Sequence, residues 1–266
     1  MRLPTQLITT LLLLTVAFTS CQRKKEDHVL KVGVISGRES DLMETAAKIA
    51  KEKYGLTVQI ATFSDYTTPN IALNDGSIDL NVFQHKPYLD AQIKDRGYHL
   101  ASVGNTFVFP LAGYSQKIKQ MNQLPDGAKI ALPNDPTNLG RVLLLLQKQG
   151  LITLKENAGL TGTPLDVISN PKHLQFIELE AAQLPRSLED VDLAVINTTY
   201  ATQINLIPTR DGLFFEEKDS PYVNVIVARE DNKNEKNVQE FVKAYQSAEV
   251  FNKANELFTG AVIQGW

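Results

Sequence analysis

The chain is poor in the residues on which much enzyme and metal chemistry depends. Cys21 is the only cysteine in 266 residues, so no intrachain disulfide and no cysteine metal cage can form. There are four histidines, His28, His85, His99 and His173, with no H-E-x-x-H spacing and no close pair. No glycine-rich phosphate loop and no G-x-S-x-G elbow occurs, which leaves those two routes to phosphoryl and acyl transfer without their machinery. Neither sign of charge dominates: 27 basic residues face 30 acidic ones, for a net charge of −3. Such a surface carries no positive field to hold a phosphate backbone, so nucleic acid is not an expected partner. The remaining composition is 43% hydrophobic and 21% charged with 15 Gly and 12 Pro, which is ordinary for a globular chain.

One apolar run stands apart. Arg2 is followed by residues 7–18, apolar except for Thr9, Thr10 and Thr15, and then by the small residues Thr19 and Ser20. A short positive start, an apolar middle and a small-residue end make a secretory signal, too short for a comfortable membrane span. Phe18-Thr19-Ser20-Cys21 resembles the lipobox of bacterial lipoproteins, in which the cysteine thiol receives a diacylglycerol and becomes the new N-terminus. Phe18 stands where that motif commonly has Leu. Two acyl chains would hold the protein stably at a membrane, where one would not. Residues 22–28, QRKKEDH, carry no large apolar side chain and read as a solvated tether.

The rest alternates strand and helix. Residues 30–35 form a β-rich run; Ser40 or Asp41 caps a helix with an apolar stripe at Leu42, Met43, Ala46, Ala47, Ile49 and Ala50. Strands follow at 57–63 and 78–83, separated by a short helix from Pro69, and a helix at 86–96 closes on Gly97. This spacing argues for a parallel α/β sheet. A second set begins after two extended pieces in 103–115: a strand at 129–132, a helix at 137–149 capped by Thr137, and strands at 174–179 and 193–196. A strand at 223–227 follows, and residues 237–258 are helical to the end. Two α/β lobes joined by crossing strands fit better than one long sheet, and ligands of such folds sit at carboxyl ends of strands in the cleft.

Four segments place polar or aromatic residues at those ends. They are Phe83-Gln84-His85-Lys86-Pro87-Tyr88, the stretch from Pro133 to Arg141, Asn197-Thr198-Thr199-Tyr200, and Asn224 within 223–227. Asn138 and Arg141 are three apart and share a helix face. A cation near a helix start opposes the dipole, and a bound carboxylate would remove the conflict. A solvated surface Arg is the competing reading. Asn224 in an alternating strand also fits a simple outward-facing polar residue.

The segments FQHKPYLDAQIKDRGY, NTFVFPLAGYS, PNDPTNLGRVLLLLQKQGLI, LPRSLEDVDLAVINTTYA and SPYVNVIVARED resemble the NlpA lipoprotein family, from about Val29 to Trp266. The resemblance implies an α/β, two-lobed periplasmic-binding-protein fold, type II-like, with crossing hinge strands. It divides the chain into a signal peptide at 1–20, a lipidated N-terminus and tether at 21–28, lobe 1 at 29–115 and 221–266, and lobe 2 at 116–220. It implies a non-enzymatic protein, lipid-anchored in the cell envelope on the periplasmic side. The expected ligand is L-methionine, with D-methionine as the alternative stereoisomer, delivered to an ABC importer permease and its ATPase. Carried over residue by residue, Tyr66, Phe83 and Tyr88, with His85, wall the thioether. Asn138 and Arg141 clamp the carboxylate, and Asn197 and Asn224 meet the amino-acid head group. No cofactor or metal is implied, and Cys21 is the lipid attachment site. The alternatives are a paralogue taking a methionine derivative or short peptide, and an envelope lipoprotein with an interaction role.

Overall fold

The computed structural model describes residues 29–217 and 220–266; the expected signal, Cys21 and the tether lie outside the described residues. In chain order the first elements are β1 (Leu30–Ile35), α1 (Arg38–Tyr54), β2 (Val58–Phe63), α2 (Thr68–Asn74), β3 (Leu80–His85), α3 (Lys86–Arg96) and β4 (Leu100–Val108). Then come β5 (Ala112–Tyr114), β6 (Lys129–Pro133), α4 (Pro136–Lys148), β7 (Thr153–Leu154), β8 (Val167–Ser169), β9 (Gln175–Leu179), α5 (Leu184–Ser187), β10 (Leu193–Ile196), α6 (Thr198–Ala201), α7 (Pro208–Asp211) and β11 (Phe214–Phe215). The chain ends with β12 (Val223–Arg229), α8 (Lys236–Tyr245), α9 (Ala248–Leu257) and β13 (Ile263–Gln264).

These elements build two main sheets. One has the order β13-β4-β12-β3-β1-β2, the other β11-β5-β10-β6-β9. The strand–helix alternation does give parallel pairing of β1 with β2 and β3, and of β6 with β9 and β10. Both sheets are nevertheless mixed, because β12 runs antiparallel to β3 and β4, and β5 antiparallel to β10. The chain leaves the first sheet at residues 109–111, where Pro110 has no N–H to continue the ladder, and returns through Glu216 and Tyr222. The two crossings are tied together: Glu216 donates its backbone N–H to the Leu111 carbonyl at 2.9 Å.

Each sheet has its own core. Leu42, Met43, Ala46, Ile49 and Ala50 of α1 pack with β1, β3 and the buried faces of α8 and α9. Leu139, Val142, Leu143 and Leu146 of α4 pack on β6 and β10. Burying a side chain such as Leu42 or Leu143 contributes roughly 1.5–3 kcal/mol. A third cluster spans the gap, joining Ile35 and Phe83 of the first sheet and Tyr88 of α3 to Ala131 and Ile196 of the second sheet and Tyr200 of α6.

Three local expectations change. Helix α1 begins at Arg38, not beyond Ser40, because Gly37 takes φ 111°, open to glycine, and Ser40 Oγ donates to its carbonyl at 2.6 Å. The helical stretch at 237–258 is interrupted at Gln246 and Ser247: Ser247 caps α9 by accepting from the Val250 N–H, and the break lets both α8 and α9 bury a face. Helix α4 is capped by Asp135, not Thr137, since Pro136 fills the first helical position and leaves the Asp135 carboxylate to accept from the Asn138 N–H at 2.9 Å.

Gly140 of α4 lets the backbone at Leu160 approach; a Cβ there would lie 2.3 Å from the Leu160 carbonyl oxygen. Gly140→Ala is therefore expected to lower unfolding free energy by about 1–3 kcal/mol, as overpacking does. Urea denaturation reads this directly. An unchanged midpoint would mean that the turn around Leu160 yields at no cost.

Candidate functional site

The carboxyl ends of β3, β6 and β10 face each other across the gap between the sheets. Because β12 is antiparallel to β3, Asn224 at its start pairs with His85 at the end of β3. All eight predicted residues, Tyr66, Phe83, His85, Tyr88, Asn138, Arg141, Asn197 and Asn224, line one cavity with an empty volume of ≈ 350 Å³. Gln84, Phe109, Thr198 and Thr199 complete the lining.

One wall is aromatic. Tyr66 lies 5.8 Å from Phe83 and 6.3 Å from Tyr88 between ring centroids, and 4.9 Å from Tyr200 of α6 across the gap. Phe83 and Tyr88 meet edge to face at 6.1 Å, a favoured geometry for paired rings. The Tyr88 hydroxyl donates to the Tyr66 carbonyl at 2.9 Å, so the wall is pinned at its polar tip. Burial pushes the Tyr66 and Tyr88 phenols well above their ordinary range, which keeps them neutral. Beneath the wall Asn70, Asn81 and Gln84 form a closed amide network; Gln84 Nε2 donates to Asn70 Oδ1 at 2.6 Å and to Asn81 Oδ1 at 3.0 Å. It satisfies buried polar groups at the end of β3.

The opposite face is polar and ordered by hydrogen bonds. His85 Nδ1 accepts from the Tyr88 N–H at 3.1 Å, capping α3, so its hydrogen sits on Nε2. Nε2 then donates across the gap to Asn138 Oδ1 at 3.3 Å. Burial, and then the nearby Arg141 charge, push the His85 pKa down to about 3, so the ring stays neutral. Asn138 Oδ1 also accepts from Asn197 Nδ2 at 3.0 Å, and Asn138 Nδ2 donates to the Asp135 carboxylate. Burial pushes the Asp135 pKa up, against its bonds to Asn138 and Thr137, which pull it down. Asn224 Nδ2 donates to the Phe83 carbonyl at 3.2 Å. Asn197 Oδ1 is buried and accepts from nothing among the described residues. A buried acceptor without a partner is costly unless a ligand supplies the donor.

Arg141 is buried, its side chain 3% exposed, against an acid that the sequence reading missed. Nε donates to Glu216 Oε1 at 2.7 Å; Nη2 donates to Glu216 Oε2 and, at 2.9 Å, to the Phe109 carbonyl. The guanidinium also lies 4.4 Å above the Tyr222 ring. Arg141 is the sixth residue of α4, beyond the first turn in which the dipole acts strongly. The expected conflict with the helix start is thus weak, and Glu216 already answers the charge. Among the described residues nothing accepts from Nη1.

A further acid bridges the sheets. Glu39, in the first turn of α1, accepts from the Thr199 hydroxyl on the other side of the gap. Burial pushes its pKa up to about 7, and the Thr199 bond pulls the other way. Neither Glu39 nor Glu216 announced itself, since a lone Glu in a helix start or a loop carries no motif.

The site offers an arginine donor edge, an unpartnered amide acceptor and an aromatic wall, which complements an α-amino-acid head group on an apolar chain. Among the described residues no three His, Cys, Asp or Glu side chains are placed to hold a metal ion, and no helix is long and apolar enough to cross a membrane.

A family model described as NlpA lipoprotein matches residues 30–266. The D-methionine-binding lipoprotein MetQ of Salmonella typhimurium is 61% identical over 255 residues, 95% of this chain and 94% of that one. A crystal structure of the methionine-binding protein MetQ superposes with a TM-score of 0.89 at 61% identity, covering 91% of this chain and 99% of that chain. A nutrient-binding protein from Burkholderia cenocepacia, solved bound to methionine, superposes at 0.88 with 49% identity, covering 90% and 100%. With a family model spanning nearly all the described residues and relatives this similar along their whole length, the chain belongs to the NlpA lipoprotein family.

Proposed function

We propose that this protein captures methionine in the cavity between its two sheets and hands it to an ABC importer, without making or breaking a bond. The observation that carries this reading is the pairing of Arg141 with the unpartnered Asn197 Oδ1 beside the aromatic wall of Tyr66, Phe83 and Tyr88. Arg141 and Asn138 meet the ligand carboxylate; Asn197 and Asn224 accept from its ammonium. The thioether lies against ring edges, which favour sulfur. Two relatives named as methionine-binding, and a nutrient-binding protein solved bound to methionine, support the same ligand.

Tight capture is feasible on size. Methionine has about 9 non-hydrogen atoms, and a ceiling near −1.5 kcal/mol per atom gives about −13 kcal/mol. Nanomolar binding needs about −12.3 kcal/mol, so nearly every atom must be contacted. A cavity enclosed from both sheets provides that contact, and rotation about the crossing at 109–111 and the return near Glu216 lets ligand in and out. In this reading residues 29–115 and 221–266 form one lobe and 116–220 the other. Cys21 carries the lipid, the folded part stands on the periplasmic side, and a membrane permease with its cytoplasmic ATPase receives the ligand.

Calorimetry of L-methionine on residues 22–266, stripped of ligand by unfolding and refolding, tests the reading. One-to-one, submicromolar binding with a smaller scattering radius in the bound state is expected. Folded protein that gives no heat overturns methionine as the ligand, and equal radii overturn the closing motion.

A further inference from the structure

We infer that Glu216 sets the charge selectivity of the cavity, so that it takes zwitterions and rejects anions of the same shape. This rests on the reading of the cavity as an amino-acid site. Arg141 is the only cation among the described residues that line the cavity. Left alone, it would place a free positive charge in a site lined by buried residues, and any carboxylate of fitting size would be drawn to it. Glu216 prevents this. Its carboxylate meets Arg141 through both Nε and Nη2, and its side chain is only 10% exposed. It is itself held in place, since Oε2 also accepts from the Leu111 N–H at 2.9 Å.

The guanidinium edge left facing the cavity therefore donates hydrogen bonds without an uncompensated charge behind them. His85 adds none, because burial keeps its ring neutral. Asp135, behind Asn138, and Glu39, behind Thr199, are acids and supply no positive charge. A ligand with a carboxylate alone must lose its water and enter beside Glu216 with no net attraction in return. A zwitterion brings its own cation, and that cation finds the unpartnered Asn197 Oδ1. Glu216 touches no ligand in this account. It acts through Arg141, as a positioning and charge-setting residue. Its place on the return crossing, bonded to Leu111 of the other crossing, also puts that pair at the pivot between the sheets.

The test compares L-methionine with 4-(methylthio)butanoate, which is the same chain without the ammonium group. Calorimetry is run on the wild type, on Glu216→Gln, and on the double variant Arg141→Gln/Glu216→Gln. The wild type is expected to prefer methionine by a hundredfold or more. Glu216→Gln, similar in size but uncharged, is expected to narrow that preference at least tenfold by gaining affinity for the anion. The double variant restores charge balance and is expected to bind both ligands weakly without that narrowing. Loss of mere packing would weaken both ligands alike and leave the ratio unchanged.

If Glu216→Gln melts too low for calorimetry, thermal shifts replace it. The gap between the rise in melting temperature given by methionine and that given by the anion is then expected to shrink relative to the wild type. An unchanged ratio, or stabilisation by neither ligand, overturns the inference. Wild type that binds methionine while Glu216→Gln keeps the wild-type ratio overturns this inference alone. Wild type that binds neither ligand overturns the capture reading, and this inference falls with it.

Discussion

Arg141→Ala is expected to weaken methionine binding by about two orders of magnitude or more, and to destabilise the ligand-free protein as well. Two losses coincide at this position. The ligand carboxylate loses a charge-assisted donor in a dry cavity, and truncating one side of such a buried pair costs roughly 2–5 kcal/mol. The protein loses the partner of Glu216, which is bonded to Arg141 at both oxygens. A buried carboxylate left without its cation destabilises a fold by about 3–5 kcal/mol. Calorimetry and urea denaturation separate the two effects. A wild-type dissociation constant would remove Arg141 from the ligand site. The double variant Arg141→Met/Glu216→Leu sharpens the comparison. It replaces the ion pair by apolar groups, which proteins commonly accept with little loss of stability. It should recover much of the unfolding free energy and none of the affinity. Recovery of both would mean that the pair serves the fold alone.

Glu39→Gln is expected to stabilise the protein by an amount that grows as pH rises from about 4.5 and is complete above about 7. In the unfolded chain the Glu39 carboxyl titrates near 4.5, and burial between α1 and the Thr199 hydroxyl pushes it up to about 7. Below 4.5 both states hold the proton and the group is harmless. As pH rises from there, the unfolded chain releases the proton while the folded protein retains it, so stability falls. Above about 7 the folded state must keep a buried carboxylate, and the loss is complete. At about 1.4 kcal/mol per pH unit the full effect is roughly 3 kcal/mol. Glutamine cannot ionise, yet its amide oxygen still accepts from Thr199. The variant should therefore gain about 3 kcal/mol over wild type at pH 8 and less than about 1 kcal/mol at pH 5. An equal gain at both pH values would assign the effect to packing and would contradict a buried, titrating Glu39.

Much of the architecture was legible because local chemistry and tertiary packing agree. The run Leu30-Lys31-Val32-Gly33-Val34-Ile35 has β-rich composition and lies in the sheet interior as β1. Pro87 and Gly97 fix both ends of α3 by the same rules that operate in isolated helices. The four site segments were legible for a topological reason: polar residues after an apolar strand mark its end, and strand ends in such folds converge on a cleft. Resemblance to a known family then assigned roles that composition could not.

What the sequence determined by itself is what depends on neighbours along the chain. It determined the strand–helix alternation, the short apolar leader before Cys21, the absence of catalytic motifs and the segments from which the cavity is lined. Only the tertiary structure decided the antiparallel return of β12, the cap at Asp135 and the break at Ser247, because each is settled by what packs against it. The same holds at the site. Glu216 is 75 residues from Arg141, and Glu39 is 160 residues from Thr199. Coulomb attraction and desolvation act through space, so no spacing in the sequence records them, and the charges that govern this cavity become visible only when the chain is folded.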